Sequence, residues 1–253
     1  GGFNHNHQSY CVVSELERHY PRWPGLNLTF ETLEGIAKHE TEYDLSLVAG
    51  FDYDKRGGLE AQVANIADEL AYNAHDLDDG LQSGLITPRQ LKDLEIWQLL
   101  CERLGWSDDE LDEVTRHRFI REQIGLQVDD VLRTTHAALE ALQPQGADDI
   151  KNLSANIVAH SEQFKAYNRA LKAFLYENMY YHPSVVRMSK RAERFINDLF
   201  TSFVSEPRQL PREFQQQVEE NGLHRVVGDF IASMTDRSAM QEYSRLFDPL
   251  TRP

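Results

Sequence analysis

The amino-acid sequence consists mainly of long segments in which apolar residues recur every three or four positions, as on one face of an α-helix. These segments are rich in Leu, Ala, Glu, Gln and Arg, residues that are well represented in helices. The pattern predicts helices near residues 8–20, 29–40, 59–82, 88–104, 107–142, 152–178, 183–204 and 211–244. No segment alternates apolar and polar residues over enough positions to predict a strand. The chain is therefore expected to be all-α.

Turn-forming residues separate the predicted helices. Thr87 followed by Pro88 predicts a helix start, because a capping threonine precedes a proline at the first helical position. The softest boundary lies at residues 143–149, which resemble a loop between helices more than a linker between independent domains. We therefore expect a single compact domain, with residues 143–253 as a C-terminal helical region packed on residues 1–142.

Composition restricts the classes of partner. The formal net charge of the 253-residue chain is −15, which opposes general binding to nucleic acid and leaves nucleic acid only as an effector. No run of about 18 uncharged apolar residues predicts a membrane span, and no basic and apolar leader predicts secretion. Cys11 and Cys101 lack metal-type spacing. A cytoplasmic protein is expected.

The helix predicted near residues 59–82 carries the main candidate site. The face expected to be buried carries Val63, Ala67, Leu70, Ala74 and Leu77. The opposite face carries Asn65, Asp68, Tyr72, Asp76 and Asp79. This second face is either a solvated acidic surface or part of a site for a hard divalent metal, which prefers carboxylate oxygens. The solvated face is the commoner meaning of such a pattern. The absence of any Lys or Arg after Glu60 in this helix to pair with the acids counts against it, and the pattern leaves both interpretations open.

Five segments carry more specific information: GGFNHNHQS (1–9), PGLNLTFETLEGIAKHE (24–40), GLEAQVANIADELAYNAHDLDDGL (58–81), YYHPSVVRMSKRAERFINDLF (180–200) and RVVGDFIASMTDRSA (225–239). They resemble the deoxyguanosine triphosphate triphosphohydrolase-like proteins of the HD-domain superfamily. The resemblance covers nearly the whole chain, in the right order. It implies a multi-helix, HD-domain-like bundle that hydrolyses a deoxynucleoside triphosphate, dGTP or a similar nucleotide, to the deoxynucleoside and inorganic triphosphate.

The resemblance also implies roles for individual residues. It assigns Asp68 as the last ligand of a divalent metal, Mg²⁺ or Mn²⁺, within a catalytic core formed by residues 1–142. The substrate-binding positions that it implies are Asn6 and Lys38 near the triphosphate, Tyr72 and Asp76 on the sugar side, and Arg237 near the nucleotide or at a subunit contact. Relatives of this kind are commonly homo-oligomers. From the residues alone, Lys38 is equally well an exposed lysine at a helix end, and Tyr72 a packing tyrosine.

The family's other metal ligands, its His and its paired His-Asp, have no counterpart in this chain, nor do its catalytic His and Glu. These residues are expected upstream of Gly1, so no catalytic residue is predicted here. Two functions therefore remain open. The intact protein is a metal-dependent triphosphohydrolase to which this chain contributes one ligand and part of the nucleotide pocket, or it is a non-catalytic nucleotide-binding or regulatory protein of the same fold.

Two further groups of polar residues attract attention. Cations at helical spacing form a stripe of Arg187, Lys190, Arg191 and Arg194. Such a stripe is typical of a solvated face paired with nearby acids, and a polyphosphate or effector site is the alternative. His5 and His7 flank Asn6, and their spacing of two residues favours polar packing over metal binding.

Overall fold

The computed structural model describes residues 4–39, 48–108 and 110–251. In chain order its α-helices are α1 (His5–Cys11), α2 (Phe30–Ala37), α3 (Leu59–Ser83), α4 (Pro88–Leu91), α5 (Glu95–Leu104), α6 (Glu113–Leu142), α7 (Ala147–Lys151), α8 (Glu162–Leu175), α9 (Pro183–Ser205), α10 (Arg212–Gln215), α11 (Val218–Asn221), α12 (Leu223–Ala232) and α13 (Asp236–Phe247). Two π-helical turns, Val12–Leu16 and Tyr176–Tyr180, and a 3₁₀ turn, Pro207–Gln209, accompany them. The extended pairings within the described ranges are isolated bridges, Arg18 with Gly25 and Tyr20 with Trp23. The predicted all-α class is confirmed.

The chain forms two compact units, Gly1–Met179 and Tyr180–Pro253, rather than the single compact domain expected from the sequence. The boundary predicted at residues 142/143 coincides with the C-terminal end of α6 and lies inside the first unit. The division of roles between a catalytic core and a C-terminal region stays a prediction. No helix among the described residues has the length and apolar character needed to cross a membrane.

The main apolar core of the first unit lies among α3, α5, α6 and α8. Its aromatic centre is Phe119 on α6, whose ring stacks on Trp97 with a centroid separation of 4.5 Å and meets Trp106 edge-on at 5.2 Å. Leu77 of α3 and Leu171 of α8 are buried in the same cluster. Burial of each such side chain contributes on the order of 1.5–3 kcal/mol to folding. This core fixes α3, the helix that carries the acidic face.

Each of the remaining apolar clusters belongs to one unit. In the first unit, Val131 near the C-terminal half of α6 packs with Ile150, Ile157 and Val158. The core of the second unit consists of Leu199, Phe203, Leu210, Val226, Val227 and Ile231. The second unit is thus built on α9 and α12, and α13 also packs on α9.

The buried face of α3 differs in part from the predicted one. Its buried residues are Gln62, Leu70, Asn73, Ala74, Leu77 and Gly80. Val63, which is 49% exposed, and Ala67 lie outside this face, contrary to the prediction. The reason is that Gln62 is held inside: its Oε1 accepts hydrogen bonds from the backbone N–H groups of Ile157 (2.8 Å) and Val158 (3.2 Å). A polar residue therefore occupies the turn that the apolar pattern assigned to valine.

Several helix ends follow the predicted signals. The Thr87 capping box is present, with Gln90 Oε1 accepting from the Thr87 backbone N–H at 2.9 Å and Pro88 at the first helical position. The helix that follows is shorter than predicted, because Leu94 is extended and separates α4 from α5. The helix predicted from residue 107 begins at Glu113, after Asp112 caps it by accepting from Thr115 N–H at 2.6 Å.

The remaining predicted helices are interrupted where caps or glycines intervene. The segment 152–178 is helical only from Glu162, after the cap Ser161, while the short α7 lies before it in a region predicted to be loop. The segment 211–244 is divided into four helices, since Gly222 adopts a φ of +82° and Thr235 caps α13. Local caps of this kind stop a helix even where the apolar spacing continues.

Gly25, in the segment before α2, combines a left-handed backbone conformation with close contact to another part of the backbone. Its φ is +65°, and a Cβ atom there would lie 2.4 Å from the backbone carbonyl group of Ser14. We expect Gly25→Ala to destabilise the protein by about 1–3 kcal/mol, because a left-handed conformation and a backbone clash act together. The measurement is urea unfolding. The control is Gly84→Ala, where φ is +72° but no atom lies within 4 Å; equal losses in both variants would contradict the clash.

Candidate functional site

His39, directly after α2, is the centre of a polar cluster in the first unit. We call His39, Asn6, Asn65 and Asp68 the His39 cluster. The backbone carbonyl of His39 accepts a hydrogen bond from Asn6 Nδ2 at 2.6 Å. Its ring Nδ1 lies 2.5 Å from Asn65 Oδ1, and its Nε2 lies 3.6 Å from Asp68 Oδ2. The cluster therefore joins α1, the end of α2 and the polar face of α3.

The spacing of Asn65 and Asp68 explains why one imidazole reaches both. Residues three apart on a helix are neighbours on one face, so α3 presents an amide and a carboxylate side by side. The Asp68 side chain is 47% exposed and that of His39 is 25% exposed, which leaves both accessible to a bound group. The buried Asn6, 2% exposed, fixes the backbone of His39.

Two other predicted site residues follow Asp68 along the same face of α3. Tyr72 is 61% exposed, and Asp76 is partly buried. Their four-residue spacing places them in a row with Asp68 along about two helical turns. The predicted arrangement of these three residues on one side of α3 agrees with the helix geometry, and their contact with a nucleotide stays a prediction.

Lys38 is buried rather than exposed at the end of α2. Its ammonium donates to Glu34 Oε1 at 2.7 Å and to the carbonyl of Lys55 at 3.1 Å. Lys151 of α7 donates to the other oxygen, Glu34 Oε2, at 2.5 Å. Two lysines thus share one carboxylate, and the charge of Lys38 is already compensated within the fold. A triphosphate near this position would have to compete with Glu34 for the ammonium.

The electrostatics of Glu34 follow from these contacts. Burial by itself raises the pKa of its carboxyl, but hydrogen bonds and charge from Lys151 and Lys38 outweigh burial and lower the pKa below its ordinary value. The carboxylate is therefore ionised at neutral pH and ties α2 to α7. Because Lys38 immediately precedes His39, the same contact holds the backbone that enters the His39 cluster.

The other basic candidates lie in the second unit. Arg237 is exposed in the first turn of α13, after the cap Thr235. The basic stripe on α9 is also exposed, and two of its members face acids of the same helix. Lys190 lies 2.6 Å from Glu193, and Arg194 lies 3.8 Å from Asp198. These contacts are typical of a solvated helix face, as the pattern indicates.

The described residues fit a divalent metal only in part. The chemistry of Asp68 suits Mg²⁺ or Mn²⁺, and His39 Nε2 lies close enough for both side chains to approach one ion. However, residues 4–39, 48–108 and 110–251 contain no group of three or more His, Cys, Asp or Glu side chains that could hold a metal ion. A complete coordination sphere would therefore need ligands beyond these residues.

The sequence interpretation omitted His39 and gave Asn65 no role beyond the polar face. His39 stands in the segment EGIAKHE, next to Lys38, the residue that the resemblance places near the triphosphate. Nothing in helical spacing distinguishes the two, because the end of α2 determines which side chain turns inward. The useful signal was the resemblance itself, which covered both positions.

Comparison with known proteins shows the family. Residues 158–245 of this all-α chain match the phosphohydrolase-associated domain. Proteins named deoxyguanosinetriphosphate triphosphohydrolase-like protein are 44% identical in Geobacter sulfurreducens, 42% in Ralstonia pickettii and 38% in Cereibacter sphaeroides, over 100%, 98% and 97% of this chain. The chain spans 66%, 65% and 69% of their lengths. It belongs to the family of deoxyguanosinetriphosphate triphosphohydrolase-like proteins.

Proposed function

We propose that the full-length protein hydrolyses a deoxynucleoside triphosphate to the deoxynucleoside and inorganic triphosphate, with a divalent metal, Mg²⁺ or Mn²⁺. The observation that carries the proposal is the similarity, over the whole chain, to relatives whose name states a deoxyguanosinetriphosphate triphosphohydrolase-like character. The His39 cluster supports it, since Asp68 presents a partly exposed carboxylate beside an imidazole on the face of α3 that also carries Tyr72 and Asp76.

The proposed reaction breaks one bond and forms another. Water adds to the α-phosphorus, and the bond between this phosphorus and the 5′ oxygen breaks, so that triphosphate and a 5′-hydroxyl are produced. A bound divalent ion would polarise a phosphoryl oxygen and acidify its water. Asp68 would help to hold that ion, together with ligands beyond the described residues. Tyr72 would lie against the deoxyribose, where its ring offers an apolar face.

The roles of the remaining positions follow the same proposal. Asn6 would act by fixing the backbone of His39, because its amide is already committed to that carbonyl. Lys38 would act near the triphosphate only if the nucleotide shared its ammonium with Glu34. Arg237 would contribute to nucleotide binding or to a subunit contact from the second unit.

The test is product analysis of the full-length protein with a panel of deoxynucleoside triphosphates. We expect deoxynucleoside and inorganic triphosphate in equal amounts with Mg²⁺ or Mn²⁺, and no product after removal of the metal with EDTA, because charge on the leaving triphosphate must be stabilised. Restoring the metal should restore the product. Release of orthophosphate or pyrophosphate in place of triphosphate would contradict the proposed bond cleavage.

One observation favours a second function, a non-catalytic nucleotide-binding or regulatory protein of the same fold. The described parts of the chain hold no set of three or more ligating side chains for a metal. In that case the full-length protein would bind a deoxynucleoside triphosphate in equilibrium dialysis without consuming it. Binding without turnover at saturating Mg²⁺ and Mn²⁺ would select this function over hydrolysis.

A further inference from the structure

The long helix α6 carries a row of polar side chains inside the first unit. Gln123 and Gln127 are both 0% exposed, and Asp130 is 7% exposed. Their spacings of four and three residues place them on one face of the helix. Because α3 packs directly on α6 and on α8, this polar face belongs to the interior of the helical core rather than to its surface.

Asp130 connects this row to the beginning of α8. Its Oδ2 accepts a hydrogen bond from the backbone N–H of Ser161 at 2.9 Å and lies 3.1 Å from Nδ1 of His160. His160 is 3% exposed, and its ring stacks on Phe164 with a centroid separation of 6.1 Å. When the Nδ1–H of His160 donates to this carboxylate, the neutral tautomer of the ring has an acceptor lone pair at Nε2.

Six buried polar atoms of this region lack hydrogen-bond partners among the residues that the structure describes. We call the four side chains concerned the α6–α8 polar row: Gln123, Gln127, His160 and Asn168. The atoms are Nε2 and Oε1 of both glutamines, Nε2 of His160 and Nδ2 of Asn168. Asn168 is 5% exposed. Buried amide groups are nearly always bonded to protein or to ordered water, so these atoms are expected to have partners other than the described protein groups.

We infer that the side chains of the α6–α8 polar row bind internal water molecules. Their unpartnered atoms comprise the amide nitrogens of Gln123, Gln127 and Asn168, which donate, the two glutamine oxygens, which accept, and Nε2 of His160. A set that contains both donors and acceptors suits water, which both donates and accepts. All four side chains are at most 5% exposed, so the bound water would be internal, and internal waters typically make about three hydrogen bonds to such groups.

A high-resolution crystal structure of the full-length protein tests the inference directly. We expect ordered water within hydrogen-bonding distance of the side-chain amides of Gln123 and Gln127, and water at His160 Nε2. Amides bonded directly to other protein groups, with no water between them, would overturn the assignment. Density for a larger molecule in contact with these amides would also overturn it.

A stability measurement on matched variants gives an independent readout. Gln127→Met keeps the length of the side chain and removes both polar atoms. If water satisfies this amide, the variant should lower the equilibrium constant for folding by about five- to tenfold in urea unfolding, since a satisfied buried hydrogen bond is lost. Gln82→Met, at an exposed position of α3, is the control and should change it little. A Gln127→Met protein as stable as the wild type, or more stable, would mean that the amide is unsatisfied and the site is dry.

Discussion

Asp68→Asn in the full-length protein is expected to reduce metal-dependent release of triphosphate by roughly 10³-fold or more. The reason is that an amide is a poor ligand for Mg²⁺ or Mn²⁺ in place of a carboxylate, and a bound metal stabilises the transition state by several kcal/mol, where each 1.36 kcal/mol is tenfold in rate. The measurement is the initial rate of triphosphate release at saturating metal and nucleotide.

The fold should survive this substitution. The Asp68 side chain is 47% exposed and lies 3.6 Å from Nε2 of His39, so the change in unfolding free energy should remain within about 0.5 kcal/mol. Asp129→Asn is the matched control, because Asp129 is an exposed carboxylate on α6 outside the His39 cluster. Full turnover by the Asp68 variant would remove this residue from the metal site and, with it, the interpretation of the acidic face as catalytic.

Glu34→Gln is expected to destabilise the protein by about 3–5 kcal/mol. Removing the shared carboxylate leaves the ammonium groups of Lys38 and Lys151 without their counter-charge. Because these side chains are only 4% and 15% exposed, water cannot replace the carboxylate fully, and removing one partner of a buried ion pair costs about 3–5 kcal/mol. Urea unfolding at neutral pH measures the loss. Glu31→Gln changes an exposed residue of the same helix and should cost less than about 1 kcal/mol.

The destabilisation caused by Glu34→Gln should depend on pH, because it comes from the loss of an ionised carboxylate. Its pKa in the folded protein lies below the ordinary value of 4.5, because the two lysines outweigh burial. A carboxyl with a depressed pKa contributes its full stability above the unfolded pKa and loses it as pH falls through the folded pKa. The difference in stability between wild type and Glu34→Gln should therefore narrow below about pH 4.5. A difference that is constant from neutral to acidic pH would show that the ion pairs do not account for it.

The positions of the long helices could be predicted because apolar spacing is a strong local signal. Residues 59–82 and 183–204 correspond to α3 and α9 within one residue at each end. The spacing could not locate Leu94, whose extended conformation divides α4 from α5, or the caps Asp112 and Ser161. These boundaries depend on one residue's dihedral angles or on one hydrogen bond, neither of which changes the apolar period.

The candidate site was less predictable than the fold. The polar face of α3 followed from its spacing, but the buried position of Lys38 depends on Glu34 and on Lys151, which is 117 residues away from Glu34 in sequence. The role of His39 depends likewise on Asn6 and Asn65, contributed by two other helices. Contacts of this kind arise from tertiary packing, for which a single sequence carries no periodic signal.

Helix α6 has a consequence for the cooperativity of the first unit. Its 30 residues extend about 45 Å at 1.5 Å per residue. Phe119 near one end belongs to the cluster shared with α3, α5 and α8, whereas Val131 and Leu139 belong to the cluster shared with α7 and the segment before α8. Helix α6 thus belongs to both apolar clusters. If either cluster loosens, α6 loses part of the packing that stabilises it, and the other cluster is then destabilised as well. The amide protons along its middle turns should accordingly exchange with deuterium only in the rare openings that disrupt the whole unit.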